Sequence, residues 1–204
     1  MRLSEYLKDR RVVLASGSPR RKELLAQIGI FPEVLPSNAE ENTRETRPEC
    51  LVMELAERKA LDVAAGCGKD TLVIGADTVV SIDGEILGKP GTPERAVRMI
   101  EKLSGRSHQV YTGVALILCR EDGRRETCVF AEKTEVHVYP MDEDEIREYA
   151  YSKEPLDKAG GYGIQGRFAA YIQGIEGDYG NVVGLPLGRL CHALKQLLGK
   201  EFER

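Results

Sequence analysis

The sequence predicts a mixed α/β fold, in which a twisted sheet is flanked by helices. Short β-branched or apolar runs alternate with segments whose apolar residues recur at helical spacing. Some runs are joined by short turns and others are separated by helix-length segments. Hairpins and crossover connections are therefore both expected in one sheet.

The first half of the chain is predicted to contain two helices between two strands. Residues 11–16 form a short buried strand, and Ser18 caps a helix that begins at Pro19 and ends at Gly29. A second helix covers 49–65. The elements that follow this helix are strand 71–82, a tight turn at Asp83-Gly84, a return segment at 85–90, and a helix from Thr92-Pro93 to Gly105.

The second half is predicted to begin with a long hairpin and to end with a helix. Strands 108–119 and 126–139 are joined by a short turn. Asp142 and Glu145 have the spacing of a capping box. The remaining predicted elements are a helix from there to about Tyr151, a strand at 168–175, and a last helix that starts at Pro186.

Composition describes a globular chain and excludes several classes of protein. The chain has 204 residues, of which 42% are hydrophobic and 30% are charged, and no segment looks like a flexible linker. We therefore treat 1–204 as a single domain, in which any two lobes would share a cleft. A net charge of −4 argues against sequence-independent binding to nucleic acid.

Neither export nor membrane insertion is expected. No apolar run is long enough for a membrane span, and the N-terminal segment 1–11 carries charges where a secretory signal has an apolar block. The five cysteines are odd in number and widely spaced, which suits free thiols. A cytoplasmic location is expected.

The turn at 16–21, with the sequence SGSPRR, is the first candidate site. A strand leads here into a helix start, where free backbone N–H groups favour an anion. Arg20 and Arg21 place positive charge at the positive end of the helix dipole, which an anion would compensate. The alternative is a surface helix with two solvated arginines.

Asp77 is the second candidate, because it interrupts an apolar strand. Burying a carboxylate is costly unless it is paired or binds a metal ion. Its position near the end of the strand suits a general base or a Mg²⁺ ligand at the mouth of a cleft. The alternative is a buried aspartate that caps a helix or pairs with an arginine.

A glycine-rich segment at 157–166 is the third candidate. Its glycines allow close approach to a ligand, and Gln165 can both donate to and accept from the edge of a base. An ordinary loop is the alternative. Lys59, Lys89 and the pair Glu40-Glu41 are weaker candidates, for which a solvated surface is the alternative.

These segments together resemble the Maf family of nucleoside triphosphate pyrophosphatases. The resemblance covers nearly the whole chain, through LASGSPRRKELL, ERKA, GADTVV, ILGKP, LSGRSHQVYTGV, EPLDKAGGYGIQG and GDYGNVVGLP. It implies a fold like that of inosine triphosphate pyrophosphatases, with two lobes around a nucleotide cleft. A cytoplasmic location and a divalent cation, Mg²⁺ or Mn²⁺, are also implied.

The resemblance assigns roles to residues of this sequence. Asp77 corresponds to the proton acceptor, and Glu41 joins Asp77 as a metal ligand. Arg20, Thr78 and Gln165 correspond to positions that set substrate specificity. The phosphate-binding positions that the resemblance implies are Ser16, Arg21, Lys59 and Lys89, and we add Ser18 to them because it belongs to the predicted anion site at 16–21. Glu40 stands where family members often have an aspartate.

The expected activity is hydrolysis of dTTP and UTP between the α and β phosphates. The segment GYGIQG resembles the dTTP/UTP branch of the family and lacks the ending of the 7-methyl-GTP branch. Asp77 remains open as base, as metal ligand or as both. Two alternatives stand beside this expectation: a pyrophosphatase for a modified nucleotide, which keeps it out of nucleic acids, and a nucleotide-responsive regulator of septum formation. The nucleotide is the expected partner, and a homodimer is possible.

Overall fold

The computed structural model describes residues 7–8 and 10–199, so most of the charged segment 1–11 lies outside the described residues. Seven strands form one sheet in the order β2-β1-β3-β5-β6-β7, with β4 paired to β3. The strands are β1 Arg11–Leu14, β2 Glu33–Val34, β3 Thr71–Ile82, β4 Glu85–Leu87, β5 Ser107–Cys119, β6 Arg125–Val138 and β7 Ile172–Glu176. The helices are α1 Pro19–Gln27, α2 Pro48–Ala65, α3 Pro93–Leu103, α4 Glu143–Ala150, α5 Tyr179–Val183 and α6 Leu187–Gly199.

The sheet is mixed, as the sequence predicts. β1 pairs in parallel with β2 and β3, whereas the other pairings are antiparallel. The turn at Asp83-Gly84 has positive φ at both residues, which matches a two-residue hairpin between β3 and β4. The capping box of Asp142 and Glu145 is also present at the start of α4.

One side of β3 is only partly covered by neighbouring strands. On its other side, β5 pairs with it from Thr71 to Ser81. On the side away from β5, β1 pairs with β3 only up to Ile74, and β4 pairs with it only from Val80 onward. Residues 75–79 of β3 therefore border an opening between β1 and β4, which we call the sheet notch.

Helix α2 lies very close to the sheet. A Cβ atom at Gly75 would lie 2.8 Å from the Cβ of Ala60, and one at Gly113 would overlap the backbone of Val52. The buried side chains Ala56, Ala60 and Ala64 form the contact face of α2. Small residues on both surfaces thus allow the helix to carry its polar residues to the edge of the notch.

Two further apolar clusters hold the remaining helices. One packs α1 and α6 against the opposite face of β3 and β5, around side chains such as Leu25, Ile74 and Leu194. The other joins the far end of β3 to α3 and α4 and includes the fully buried Phe168. No helix within the described residues combines the length and hydropathy that crossing a membrane would require.

Several predicted boundaries were wrong. Strand β1 ends at Leu14 rather than at residue 16. The predicted strand 168–175 is a 3₁₀ helix from Arg167 to Tyr171, followed by β7. Ser18 occupies the N-cap position of α1, but its side chain makes no capping hydrogen bond. The short elements β2 and α5 were not predicted.

Candidate active site at the sheet notch

Three segments border the sheet notch. The turn at 16–21 follows the end of β1, and residues 88–90 follow β4. Helix α2 lies over the face of the sheet to which Gly75 and Asp77 belong, since alternate residues of a strand face the same side. The notch thus collects side chains that are distant in the sequence.

Asp77 lies in the middle of β3 rather than near its end, which corrects the sequence prediction. The opening beside it arises because β1 and β4 stop short. Lys59 donates from Nζ to Asp77 Oδ1 at 2.7 Å, and the two side chains are only 15% and 14% exposed. Asp77 therefore pairs with a lysine of α2, and neither a helix cap nor an arginine partner accounts for it.

Lys59 also contacts a second carboxylate. Its Nζ lies 2.6 Å from Oε1 of Glu41, whose side chain is 59% exposed. The hydrogen bond from Lys59 lowers the pKa of Glu41, and the positive charges of Lys89 and Arg21 lower it further. One ammonium group therefore joins Glu41 and Asp77, and two more cations are close enough to act on the same site.

Arg21 connects three parts of the chain through its guanidinium group. It donates from Nε to the Gly184 carbonyl at 2.9 Å, from Nη1 to Ser16 Oγ at 2.9 Å, and from Nη2 to Thr78 Oγ1 at 3.0 Å. Burial lowers the pKa of Arg21, and the negative charge of Asp77 opposes that effect. Of the two arginines predicted to place positive charge at the start of α1, Arg21 is thus turned toward β3.

A chain of hydroxyl groups continues from Arg21 into the core. Thr78 Oγ1 lies 2.9 Å from Thr112 Oγ1, and Thr112 donates to the Asn181 carbonyl at 2.9 Å. Thr112 and Asn181 are both fully buried. Sequence reasoning missed both residues, because uncharged polar residues within apolar segments leave no spacing signal.

Arg20, Gln165 and Lys89 make no hydrogen bond or ion pair with Asp77 among the described contacts. Arg20 makes no hydrogen bond or ion pair within the described part of the chain, but its charge contributes to lowering the pKa of Asp157, after the larger effect of Lys158. Gln165 and Lys89 are exposed.

The glycine-rich segment 157–166 is tied to the segment that carries Lys89. Gly160 N–H donates to the Gly88 carbonyl at 3.1 Å, and Gly91 N–H donates to the Leu156 carbonyl at 3.2 Å. These backbone bonds hold the segment beside the chain that leaves β4, on the border of the notch. Gln165 projects from a loop that is anchored, although its side chain contacts no described residue through a hydrogen bond.

His108, on β5, holds the same glycine-rich segment through a hydrogen bond to Tyr162. Its Nε2 lies 2.7 Å from the hydroxyl of Tyr162, and both side chains are buried. Burial lowers the pKa of His108 to about 4, so the imidazole is neutral at pH 7. Within the described residues, His108 Nδ1 has no hydrogen-bond partner. The sequence had indicated no role for this histidine.

The side chains of the notch offer limited ligation to a metal ion. Within the described ranges, no group of three or more histidine, cysteine, aspartate or glutamate side chains is arranged to hold one. Asp77 and Glu41 supply two carboxylates that share Lys59. This donor set fits Mg²⁺, which is commonly held by one or two carboxylates together with the phosphates of a substrate.

The chain is similar to proteins of one family over nearly its whole length. The family model described as Maf-like protein matches residues 11–197. A dTTP/UTP pyrophosphatase of Lachnoclostridium phytofermentans is 50% identical over 91% of this chain and 94% of its own length. One of Agathobacter rectalis is 50% identical over 91% and 97%, and one of Bacillus cereus is 48% identical over 92% and 95%.

Solved structures resemble the chain more distantly. A HAM1 protein from Coxiella burnetii aligns with a TM-score of 0.47 and 16% identity, over 92% of this chain and 99% of that chain. At this level of similarity the match carries no information on function.

Proposed function

This chain belongs to the Maf family, and we propose that it hydrolyses dTTP and UTP between the α and β phosphates, releasing the nucleoside monophosphate and pyrophosphate. The relatives named dTTP/UTP pyrophosphatase match it at 48–50% identity over more than nine tenths of the chain. The observation that carries the proposal is the sheet notch. There Lys59 pairs with the carboxylate of Asp77, and Arg21 donates a hydrogen bond to Thr78, the next residue of β3.

Asp77 is the proposed acceptor of the proton from the attacking water. Lys59 fixes Oδ1 through the 2.7 Å contact, and no described residue donates a hydrogen bond to Oδ2. The free oxygen can take the proton as the water oxygen bonds to the α phosphorus and the bond to the β-phosphate oxygen breaks. The electron pair leaves on pyrophosphate.

The cations around the notch bind the triphosphate and stabilise the charge on the leaving group. Lys59, Lys89 and Arg21 all act on the same small region, as their combined effect on Glu41 indicates. Ser16 Oγ accepts hydrogen bonds from Arg21 and from the Ser18 N–H, so its own proton is left to donate to a phosphate oxygen.

Ser18 completes the proposed set of phosphate-binding residues. Its hydroxyl makes no capping bond to α1 and is therefore available to a ligand. It lies at the helix N-terminus, where the positive end of the helix dipole favours an anion.

Glu41 and Asp77 are the proposed ligands of a divalent cation. Their oxygen donors suit Mg²⁺ or Mn²⁺, and two carboxylates leave the remaining positions to the nucleotide and to water. Such an ion supplies positive charge that neutralises the phosphate oxygens when it is bound. In the structure Lys59 supplies positive charge at the same two carboxylates.

Thr78, Arg20 and Gln165 are the proposed residues that read the nucleoside. Gln165 lies in the anchored glycine-rich segment, and the charge of Arg20 reaches Asp157 in the same segment. Discrimination follows when a wrong base leaves polar groups without partners.

The test is hydrolysis of UTP and dTTP by the purified protein with Mg²⁺, with products separated by ion-exchange chromatography. The expected products are UMP or dTMP together with pyrophosphate. Release of UDP and phosphate, or no hydrolysis of either nucleotide, would contradict the proposal. Equal turnover of 7-methyl-GTP and UTP would contradict the specificity.

We also propose a cytoplasmic location. All five cysteines are free thiols, of which Cys119 is buried and the other four are half-buried. Thiols persist in a reducing compartment.

A further inference from the structure

Resting on the proposed function, we propose that Thr112 is a positioning residue for base specificity, because it makes the Thr78 hydroxyl an obligatory hydrogen-bond acceptor toward the nucleotide. Thr112 lies directly opposite Thr78 in the antiparallel pair of β3 and β5. It is fully buried and cannot reach the substrate, so it acts through Thr78.

The direction of each hydrogen bond follows from counting protons. A hydroxyl has one proton, and Thr112 donates its proton to the Asn181 carbonyl, which can only accept. In the 2.9 Å contact between the two threonines, Thr112 must therefore accept and Thr78 must donate. Arg21 Nη2 donates to Thr78 Oγ1, which occupies one of its two lone pairs.

Backbone groups close this chain of hydrogen bonds into a ring. The Asn181 carbonyl also accepts from the Gly184 N–H at 3.0 Å, and the Gly184 carbonyl accepts from Arg21 Nε at 2.9 Å. Asn181 is held in turn by its Nδ2, which donates to the Val110 carbonyl at 3.0 Å. Rotation of the Thr78 hydroxyl would therefore break a bond within a buried network.

The remaining lone pair of Thr78 limits which part of a nucleotide can bind there. An acceptor repels a phosphate oxygen, so the partner of Thr78 must bring a donor, and the donors of a nucleotide lie on the base and the sugar. Uracil and thymine both carry an N3–H group. Cytosine has an acceptor at the same position, which would face a second acceptor.

We therefore assign the N3–H group of uracil or thymine as the partner of Thr78. This assignment explains why one site takes both UTP and dTTP, which differ at the base C5 and the sugar C2′ but share N3–H. It also predicts that CTP, with the same sugar and phosphates as UTP, is a poorer substrate than UTP.

The test compares kcat/KM for UTP and CTP in the wild-type enzyme, Thr112→Val and Thr112→Ser. Thr112→Val keeps the shape but removes the acceptor, so the Thr78 proton is free to turn toward the notch. We expect the UTP-to-CTP ratio of kcat/KM to fall by at least about fivefold, as one hydrogen bond is worth. Thr112→Ser keeps the hydroxyl and should restore the wild-type ratio, which a purely structural effect of the valine would not explain.

Substrate analogues test the same assignment without a variant. N3-methyl-UTP should be turned over by the wild-type enzyme at least about fivefold less efficiently than UTP, whereas 3′-deoxy-UTP should lose less. A larger loss for 3′-deoxy-UTP would overturn the assignment, because the sugar hydroxyl would then be the donor. An unchanged UTP-to-CTP ratio in a folded Thr112→Val enzyme would also overturn it, whereas absence of UTP turnover by the wild type would instead overturn the proposed function.

Discussion

Lys59 and Asp77 form an ion pair in which Nζ lies 2.7 Å from Oδ1 and both side chains are largely buried. The same ammonium lies 2.6 Å from Glu41. Two carboxylates this close to one position repel each other unless a cation lies between them. Lys59 supplies that cation from α2, whose close approach to the sheet depends on Gly75 and Gly113.

Replacement of Lys59 by methionine should raise the pKa of Glu41 toward its ordinary value. The hydrogen bond from Lys59 is the largest cause of the depression. Without it, burial raises the pKa of Glu41 against the weaker lowering effects of Lys89 and Arg21. Carbon-detected NMR titration of the glutamate side chains measures this, and Glu41→Gln assigns the signal. Lys102→Met is the matched control, because it breaks a surface pair with Glu85 of similar length, 2.6 Å. An unchanged Glu41 pKa in Lys59→Met would show that the contact has no electrostatic role.

Asp77→Asn should lower kcat for UTP by about 10²–10⁴-fold, the usual contribution of a general base. The amide keeps the shape of the side chain but cannot take a proton, so the affinity for UTP should change much less. Steady-state kinetics and calorimetric titration measure the two effects separately. Asp144→Asn, on the exposed side of α4, is the control. Near-normal turnover by Asp77→Asn would show that another group is the base.

His108 should make the protein less stable in mild acid. Its pKa is lowered to about 4 by burial, from an ordinary value of 6.5. Below pH 6.5 the unfolded chain binds a proton that the folded protein binds only near pH 4, so stability falls as the pH is lowered through this window. Linkage gives a loss of about 2 kcal/mol between pH 7 and pH 5.

Urea denaturation at the two pH values measures this loss, and His108→Gln is the comparison because it removes the titrating group. The variant should show a weaker pH dependence than the wild type. Parallel behaviour of the two proteins would place the acid sensitivity elsewhere. The glycine-rich segment should be affected together with the global fold, since its residue Tyr162 is hydrogen-bonded to His108.

Gly113→Ala should lower the free energy of unfolding by about 1–3 kcal/mol, because the added methyl group overlaps the backbone of α2 at Val52. Gly68→Ala is the matched control, since a methyl group there meets no atom within 4 Å. Thermal and urea denaturation compare the two. Equal stability of both variants would mean that α2 is not held against β5 at this point.

The sequence predicted the long elements of this fold well, because their periodicity and turn residues are strong local signals. The continuous apolar run of β3 and the hairpin of β5 and β6 are examples. The prediction of a strand at FAAY (168–171) was wrong, because a short apolar run does not distinguish a strand from a helical turn. Strand β2 has only two residues and carries no pattern at all.

The charged part of the candidate site was visible in the sequence, whereas its geometry was not. Asp77 was singled out because a carboxylate in an apolar strand is unusual. Its partner Lys59 and the opening beside it depend on where β1 and β4 end, which is a tertiary property. Thr112 and Asn181 had no signal, since buried neutral polar groups are identified only by their hydrogen bonds.

The two sides of β3 differ in how firmly they are paired. Its unbroken ladder with β5 keeps Asp77 and Thr78 in register. The segments across the opening, by contrast, are free of ladder constraints between residues 75 and 79. Changes in the length or composition of those flanking loops should therefore leave the register of β3 with β5, and with it the positions of Asp77 and Thr78, unaltered.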